Sequence, residues 1–179
     1  MNLEVAYFAS GCFWCTEAIF QMINGVESVV SGYIGGNIVN PKYSEVCKGI
    51  TGHAEGVKIS FNSDIIDYED LVYVFFLSHD PTTKDRQGND VGSQYRSAIF
   101  YINQNQKNTL KLVLNKLIED KMFINKIVTE IKSYMTFYSA EKNHQNYYNL
   151  NPEESYCSFV INPKLLSLKQ KLKHLIKKN

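Results

Sequence analysis

Two thiols, Cys12 and Cys15, flank Phe13 and Trp14 in the stretch SGCFWCTE, and the only tryptophan of the chain lies between them. The residues before the pair read as a strand and those after it take helical spacing, so both sulfurs fall in the first turn of a helix. There the positive end of the backbone dipole and several unpaired N–H groups favour a thiolate, and Cys12 is the better placed of the two. Cys15 can attack an oxidised Cys12 and close a disulfide after a modest local rearrangement, the general logic of a CxxC redox pair. Two other readings suit the same residues. Both thiols can be small buried hydrophobes beside a core aromatic pair. Alternatively Cys12, Cys15, Cys47 and His53 can hold zinc, although the set lacks the second close ligand pair usual in a structural site.

The elements that must position these groups are legible from periodicity. Leu3 to Ala9 reads as a strand, and Cys12 to Ile23 as a helix with Ile19, Phe20 and Ile23 on one face. VESVVSGYIGG is a short strand ending in glycines. A long connection through Pro41, Gly49 and Gly52 follows, and connections of that length inside a compact domain are usually functional. VKISF alternates as a half-buried strand. Asp67 is placed to cap the next helix, with Asp70 in its first turn and Leu71, Val74 and Phe75 as its buried stripe. A polar loop, HDPTTKDRQGNDVGSQ, leads into YRSAIFYI, whose continuous apolar run predicts a central strand. Asn103 is placed to cap a third helix with Leu110, Leu114 and Leu117 on one face. KIVTEI is predicted as a strand and AEKNHQNYYNL as a short helix.

The resulting order, βαβ then βαβ then a helical tail, predicts an α/β (α+β) two-layer sandwich around a mixed β-sheet, with ferredoxin-like βαβ units and a long loop-rich C-terminal segment. Residues 1–179 are read as a single catalytic domain. Within it, 151–179 forms a tail carrying Cys157 and a basic amphipathic helix, whose Leu165, Leu168, Leu172 and Leu175 are expected to pack on the domain.

Composition narrows the function. A chain of 179 residues, 44% hydrophobic and 21% charged, can bury a core, and a net charge of +1 argues against a surface built to track nucleic acid. No cationic segment followed by an apolar run and cleavage site opens the sequence, and no stretch reaches the length of a bilayer span. A cytoplasmic protein with no membrane association is expected. In a reducing cytosol its four cysteines read as catalytic, metal-binding or buried rather than as a disulfide framework. The glycine clusters match neither a dinucleotide fingerprint nor a P-loop.

The motifs GCFW, GYIGG, PKYSEVCKGITGHAEGVKISF, HDPTTKDRQGNDVGSQYRSAIFY and FYSAEKNHQNYY, in this order across nearly the whole chain, resemble the methionine sulfoxide reductase A family. The resemblance implies thiol-dependent repair of methionine S-sulfoxide, free or in proteins. It implies that Cys12 is the nucleophile, that Phe13 and Trp14 form an apolar pocket for the substrate methyl, and that Glu55 is the acid for the sulfoxide oxygen. Tyr43 and Tyr95 match two tyrosines that donate hydrogen bonds to that oxygen, and Asp90 matches a pocket aspartate. In an apolar pocket the Glu55 pKa should rise. The implied cycle leaves a Cys12 sulfenic acid, condenses it with a second thiol, and is recycled by thioredoxin or a similar dithiol reductant, with no metal, flavin or nicotinamide cofactor.

Cys15 and Cys157 are both candidates for the resolving thiol. Locality favours Cys15 first, with Cys157 passing the oxidation outward. His53 is expected to hydrogen-bond within its loop, His144 and Gln145 to support the rim, and Cys47 to be a buried thiol. A thioredoxin-like oxidoreductase also fits the CxxC, but leaves the bulky Phe-Trp insert and the Glu and Tyr motifs unexplained.

Overall fold

The computed structural model describes residues 2–177. Its elements are β1 (Leu3–Ser10), α1 (Phe13–Gln21), β2 (Val26–Ile34), α2 (Tyr43–Cys47), β3 (Ala54–Asn62), α3 (Tyr68–Leu77), β4 (Arg86–Gln87), β5 (Asp90–Val91), β6 (Ser97–Tyr101), α4 (Gln104–Glu119), β7 (Glu130–Ser133), β8 (Tyr138–Ser139), α5 (Tyr147–Leu150) and α6 (Asn162–Lys171). The main sheet runs β7-β6-β1-β3-β2-β8, and β4 with β5 forms a separate small hairpin. β3 lies between β1 and β2 and is antiparallel to both, the split βαβ arrangement, while β7 adds in parallel to β6 and makes the sheet mixed.

Strand alternation divides β1 between two apolar layers. Ala6 and Phe8 face the larger one with Ile19 and Phe20 of α1, Leu71 and Phe75 of α3, and Leu110, Val113 and Leu117 of α4. Tyr7 and Ala9 face the other, where Phe100 and Phe137 join them. The ring of Tyr7 meets those of Tyr134 and Phe137 at 4.8 and 5.6 Å, so an irregular strap covers the sheet face opposite the helices.

Several predicted elements move. The long connection carries a helix, α2, started where the Glu45 carboxylate accepts the Lys42 N–H at 2.8 Å. Asn103 caps α4, its Oδ1 accepting the Gln106 N–H at 2.9 Å, whereas Asp67 precedes α3 without a side-chain cap bond. β6 is an interior strand next to β7 rather than the centre of the sheet, and the KIVTEI strand begins only at Glu130. Apolar runs alone do not give sheet order.

The tail folds back on the helical layer. Leu165, Leu168 and Leu172 are buried, Ile176 bridges to Ile23, and the Asn24 N–H donates to the Leu175 carbonyl at 2.7 Å. Among the described residues no helix is long and apolar enough to cross a membrane.

Candidate active site

Gly11 turns the chain from β1 into α1 with φ +94°, a conformation L side chains rarely adopt, and a Cβ there would lie 2.7 Å from the Gln87 side chain. The turn leaves Cys12 at the N-cap of α1, its carbonyl accepting the Thr16 N–H and hydroxyl, both at 3.2 Å. Its thiol meets the Cys15 backbone N–H and the Tyr156 hydroxyl. The next backbone donor, the Phe13 N–H, has no intrahelical acceptor. It donates to Glu55 Oε2 at 3.0 Å, so the first residue of the helix proper is tied to the start of β3.

Glu55 is buried, and burial outweighs the Phe13 N–H to push its carboxyl from 4.5 up to about 8, with the Asp90 charge adding to the rise. The acid is therefore mostly protonated at neutral pH, as the apolar-pocket expectation required. The expected Cys12 thiolate is not found in this state. Burial, then the charges of Glu55 and Cys15, hold Cys12 well above the ordinary thiol value, and the helix start does not overcome them. Cys12 rests as a thiol.

Burial raises the phenols of Tyr43 and Tyr95 well above the ordinary tyrosine value, with a hydrogen bond to Cys47 adding to the rise at Tyr43, so both stay protonated. Glu141 steers one of them: its Oε1 accepts the Tyr43 N–H at 2.9 Å and its Oε2 accepts the Tyr33 hydroxyl at 2.7 Å. The loop ahead of β3 is pinned by Arg96, which donates to the Gly52 and Ser93 carbonyls at 3.0 and 2.9 Å. The His53 ring stays within its loop, accepting the Gly36 N–H at 3.1 Å and lying 2.8 Å from the Ile38 carbonyl. Cys47 is half-buried rather than buried and hydrogen-bonds the Tyr43 hydroxyl. Among the described residues no three His, Cys, Asp or Glu side chains converge to hold a metal ion.

The aromatic side is built on Trp14. Its indole stacks on Tyr147 at 3.7 Å and 7°, and its Nε1–H donates to His144 Nδ1 at 3.2 Å. Phe13 is fully buried beside Tyr33, Tyr43 and His144. Gln145 holds the rim by accepting the Ser31 N–H and donating to the carbonyls of Ser31 and Ala140.

A cavity of about 260 Å³ opens beside Cys12, lined by Cys15, Gln87, Asp90, Tyr156 and Lys164 among others. Trp14 and Glu55 do not line it, although a single recess shared by Cys12, Trp14 and Glu55 was the expectation. Tyr156 is the reason. Its hydroxyl donates to Asp90 Oδ2 at 2.6 Å and hydrogen-bonds Cys12, while its ring stands edge-on to Trp14 at 6.0 Å. The tail thus inserts a side chain among the nucleophile, the aspartate and the indole. Asp90 reaches this place on the β4–β5 hairpin, which sequence reading treated as plain loop. Cys157 follows Tyr156, is fully buried, and feels the charge of Cys15.

Sequence reading therefore named the residues around Cys12 but missed Tyr156, Lys164, Glu141 and Tyr147. Glu141 and Tyr147 lie inside the quoted FYSAEKNHQNYY motif, and Tyr156 adjoins Cys157, so position beside a motif residue was the available signal.

Known proteins resemble this chain over nearly its whole length. The family model for peptide methionine sulfoxide reductase matches residues 4–176. The peptide methionine sulfoxide reductase MsrA of Acinetobacter baumannii (strain AYE) is 50% identical over 175 residues, covering 98% of this chain and 99% of the relative. Among solved structures, reduced Mxr1 from Saccharomyces cerevisiae superposes with a TM-score of 0.81 at 32% identity, covering 87% of this chain and 90% of that one. Mxr1 in complex with Trx2 matches with a TM-score of 0.57 at 25% identity, covering 82% and 85%.

Proposed function

The chain belongs to the peptide methionine sulfoxide reductase family, and on that premise we propose how its own residues carry out the reduction of methionine sulfoxide. The observation that carries the reading is the buried, largely protonated Glu55, held on the Phe13 N–H next to the Cys12 thiol. A sulfur nucleophile and a proton donor stand together at one helix start.

Cys12 Sγ attacks the sulfoxide sulfur while Glu55 protonates the oxygen, on which negative charge develops. The S–O bond of the substrate breaks as the oxygen passes to Cys12, the transient bond between the two sulfurs opens, and the thioether departs as methionine, leaving Cys12 as a sulfenic acid. The proton given up by the Cys12 thiol restores Glu55, so this step draws on no external proton. Tyr43 and Tyr95 donate hydrogen bonds to the same oxygen, and Asp90 orders the polar part of the substrate. Phe13 and Trp14 hold the methyl group, which fixes the direction of the oxygen and selects the S epimer, whether free or in proteins. Substrate entry displaces Tyr156 from Cys12 and Asp90.

Cys15 then condenses with the sulfenic acid, and Cys157 exchanges with the resulting disulfide. The order is supported by locality, since Cys12 and Cys15 line one cavity three residues apart and close the shorter loop. A thioredoxin or similar dithiol reduces the resulting disulfide by exchange, a step supported by the yeast relative's complex with Trx2. Incubation with the separated epimers and dithiothreitol tests the substrate assignment. Only the S epimer should yield methionine, and Cys12→Ser should abolish the yield; equal turnover of both epimers, or methionine formed by Cys12→Ser, would overturn it.

A further inference from the structure

Lys164 enters the thiol cavity from the first turn of α6, far along the chain from the pair it meets. The helical turn Cys157–Ile161 runs without a break into α6, so Lys164 lies inside a helical run that begins beside Tyr156. Among the described residues no carboxylate lies within ion-pair distance of its ammonium. What the ammonium meets is sulfur, because it hydrogen-bonds Cys15.

We propose that Lys164 is a positioning residue for the resolving thiol, its ammonium hydrogen-bonded to the Cys15 sulfur in the shared cavity and favouring the thiolate that attacks the Cys12 sulfenic acid. This rests on the reading in which Cys15 resolves. The step balances without any further reactant. Cys15 S⁻ attacks Cys12 Sγ, the S–S bond forms as the S–OH bond breaks, and the departing hydroxide takes up the proton Cys15 had released, giving water. The sulfenic sulfur is reduced, the thiolate is oxidised, and Lys164 keeps its charge.

Other groups around Cys15 work against a thiolate. It is buried, Asp90 approaches from β5, Cys12 lies on its own turn, and Tyr156 and Cys157 belong to the tail. Burial above all, with Asp90, leaves the thiol above its ordinary value, and Lys164 draws it part of the way back. For each unit by which loss of that cation raises the thiol pKa, the thiolate population falls about tenfold while its intrinsic nucleophilicity rises about threefold, a net slowing of about threefold.

The test follows a single turnover with S-sulfoxide, reading released methionine, the thiol pairing by mass spectrometry, and the fluorescence of Trp14, which lies between the two cysteines in the chain. Lys164→Met should release about one equivalent of methionine, showing a folded site, yet close the Cys12–Cys15 bond roughly threefold to tenfold more slowly at neutral pH. Its rate-versus-pH midpoint should move upward, and Lys164→Arg should restore both rate and midpoint. An unchanged rate and midpoint in Lys164→Met, failure of Arg to rescue, or loss of the methionine burst itself would overturn the role of Lys164 alone. Resolution at the wild-type rate in Cys15→Ser would instead overturn the order of thiols, and the role of Lys164 with it.

Discussion

The protonation of Glu55 joins stability to chemistry. Its carboxyl stands near 4.5 when exposed and at about 8 in the fold, so between these values the native state holds a proton that the unfolded chain has released. The stabilising contribution is complete below about 4.5 and is lost as pH rises through about 8, on the order of a few kcal/mol. Urea unfolding of the reduced protein at pH 5 and pH 8.5 should show this decline in the wild type and not in Glu55→Gln; equal slopes would remove Glu55 as its source. Cys12 has a parallel consequence. A thiol held above its ordinary range by burial and neighbouring negative charge reacts slowly with alkylating reagents at neutral pH, despite its place at a helix start. The spacing of the CxxC showed where the sulfurs would lie, but not how deeply the rest of the chain would bury them.

At the level of elements, the tail segment around Tyr156 governs access. Its hydroxyl bond to Asp90 ties the tail to the β4–β5 hairpin across the face of Cys12. Tyr156→Phe removes a bond to a charged acceptor and should speed iodoacetamide labelling of Cys12 by roughly tenfold, with a lower KM for methionine sulfoxide. Unchanged labelling, or a fall in kcat with KM constant, would mean that the hydroxyl serves the reaction instead. Strands and long helices were legible because their periodicity is local: β1, α1, β3 and α4 lie where the apolar spacing put them. The hairpin and α2 were not, since each is a few residues long and is held by partners distant in sequence, such as Glu141 on the Tyr43 N–H and Gln94 on the Cys47 carbonyl. For the same reason the contact of Tyr156 with Asp90 has no signature in either segment read alone.

On the scale of the whole molecule, the C-terminal helix couples packing to the redox site. α6 buries Leu165 and Leu168 on the helical layer, and the same helix presents Lys164 to Cys15. Leu168→Ala should cost about 2–5 kcal/mol of stability, read by urea unfolding, if its cavity cannot collapse. It should also slow transfer of oxidation to Cys157 while leaving methionine release intact; a stable variant with normal transfer would show that the tail is not held by this packing. Mass spectrometry of the oxidised protein before a donor is added should find Cys12 joined to Cys15 first and Cys157 engaged afterwards, and an exclusive Cys12–Cys157 bond would reverse that order. The leucine face of the tail was legible, and its docking direction was not, because a repeating leucine stripe does not say which surface will receive it.

The most direct test is the pH dependence of methionine release in one turnover with the S-sulfoxide, measured for the wild type and Glu55→Gln. The wild-type rate should fall as pH rises through about 8, while the variant should be slower by about 10² to 10⁴ and lack that falling limb. A variant as fast as the wild type, or one that keeps the same limb, would contradict a proton delivered by Glu55 to the oxygen of the sulfoxide that Cys12 attacks.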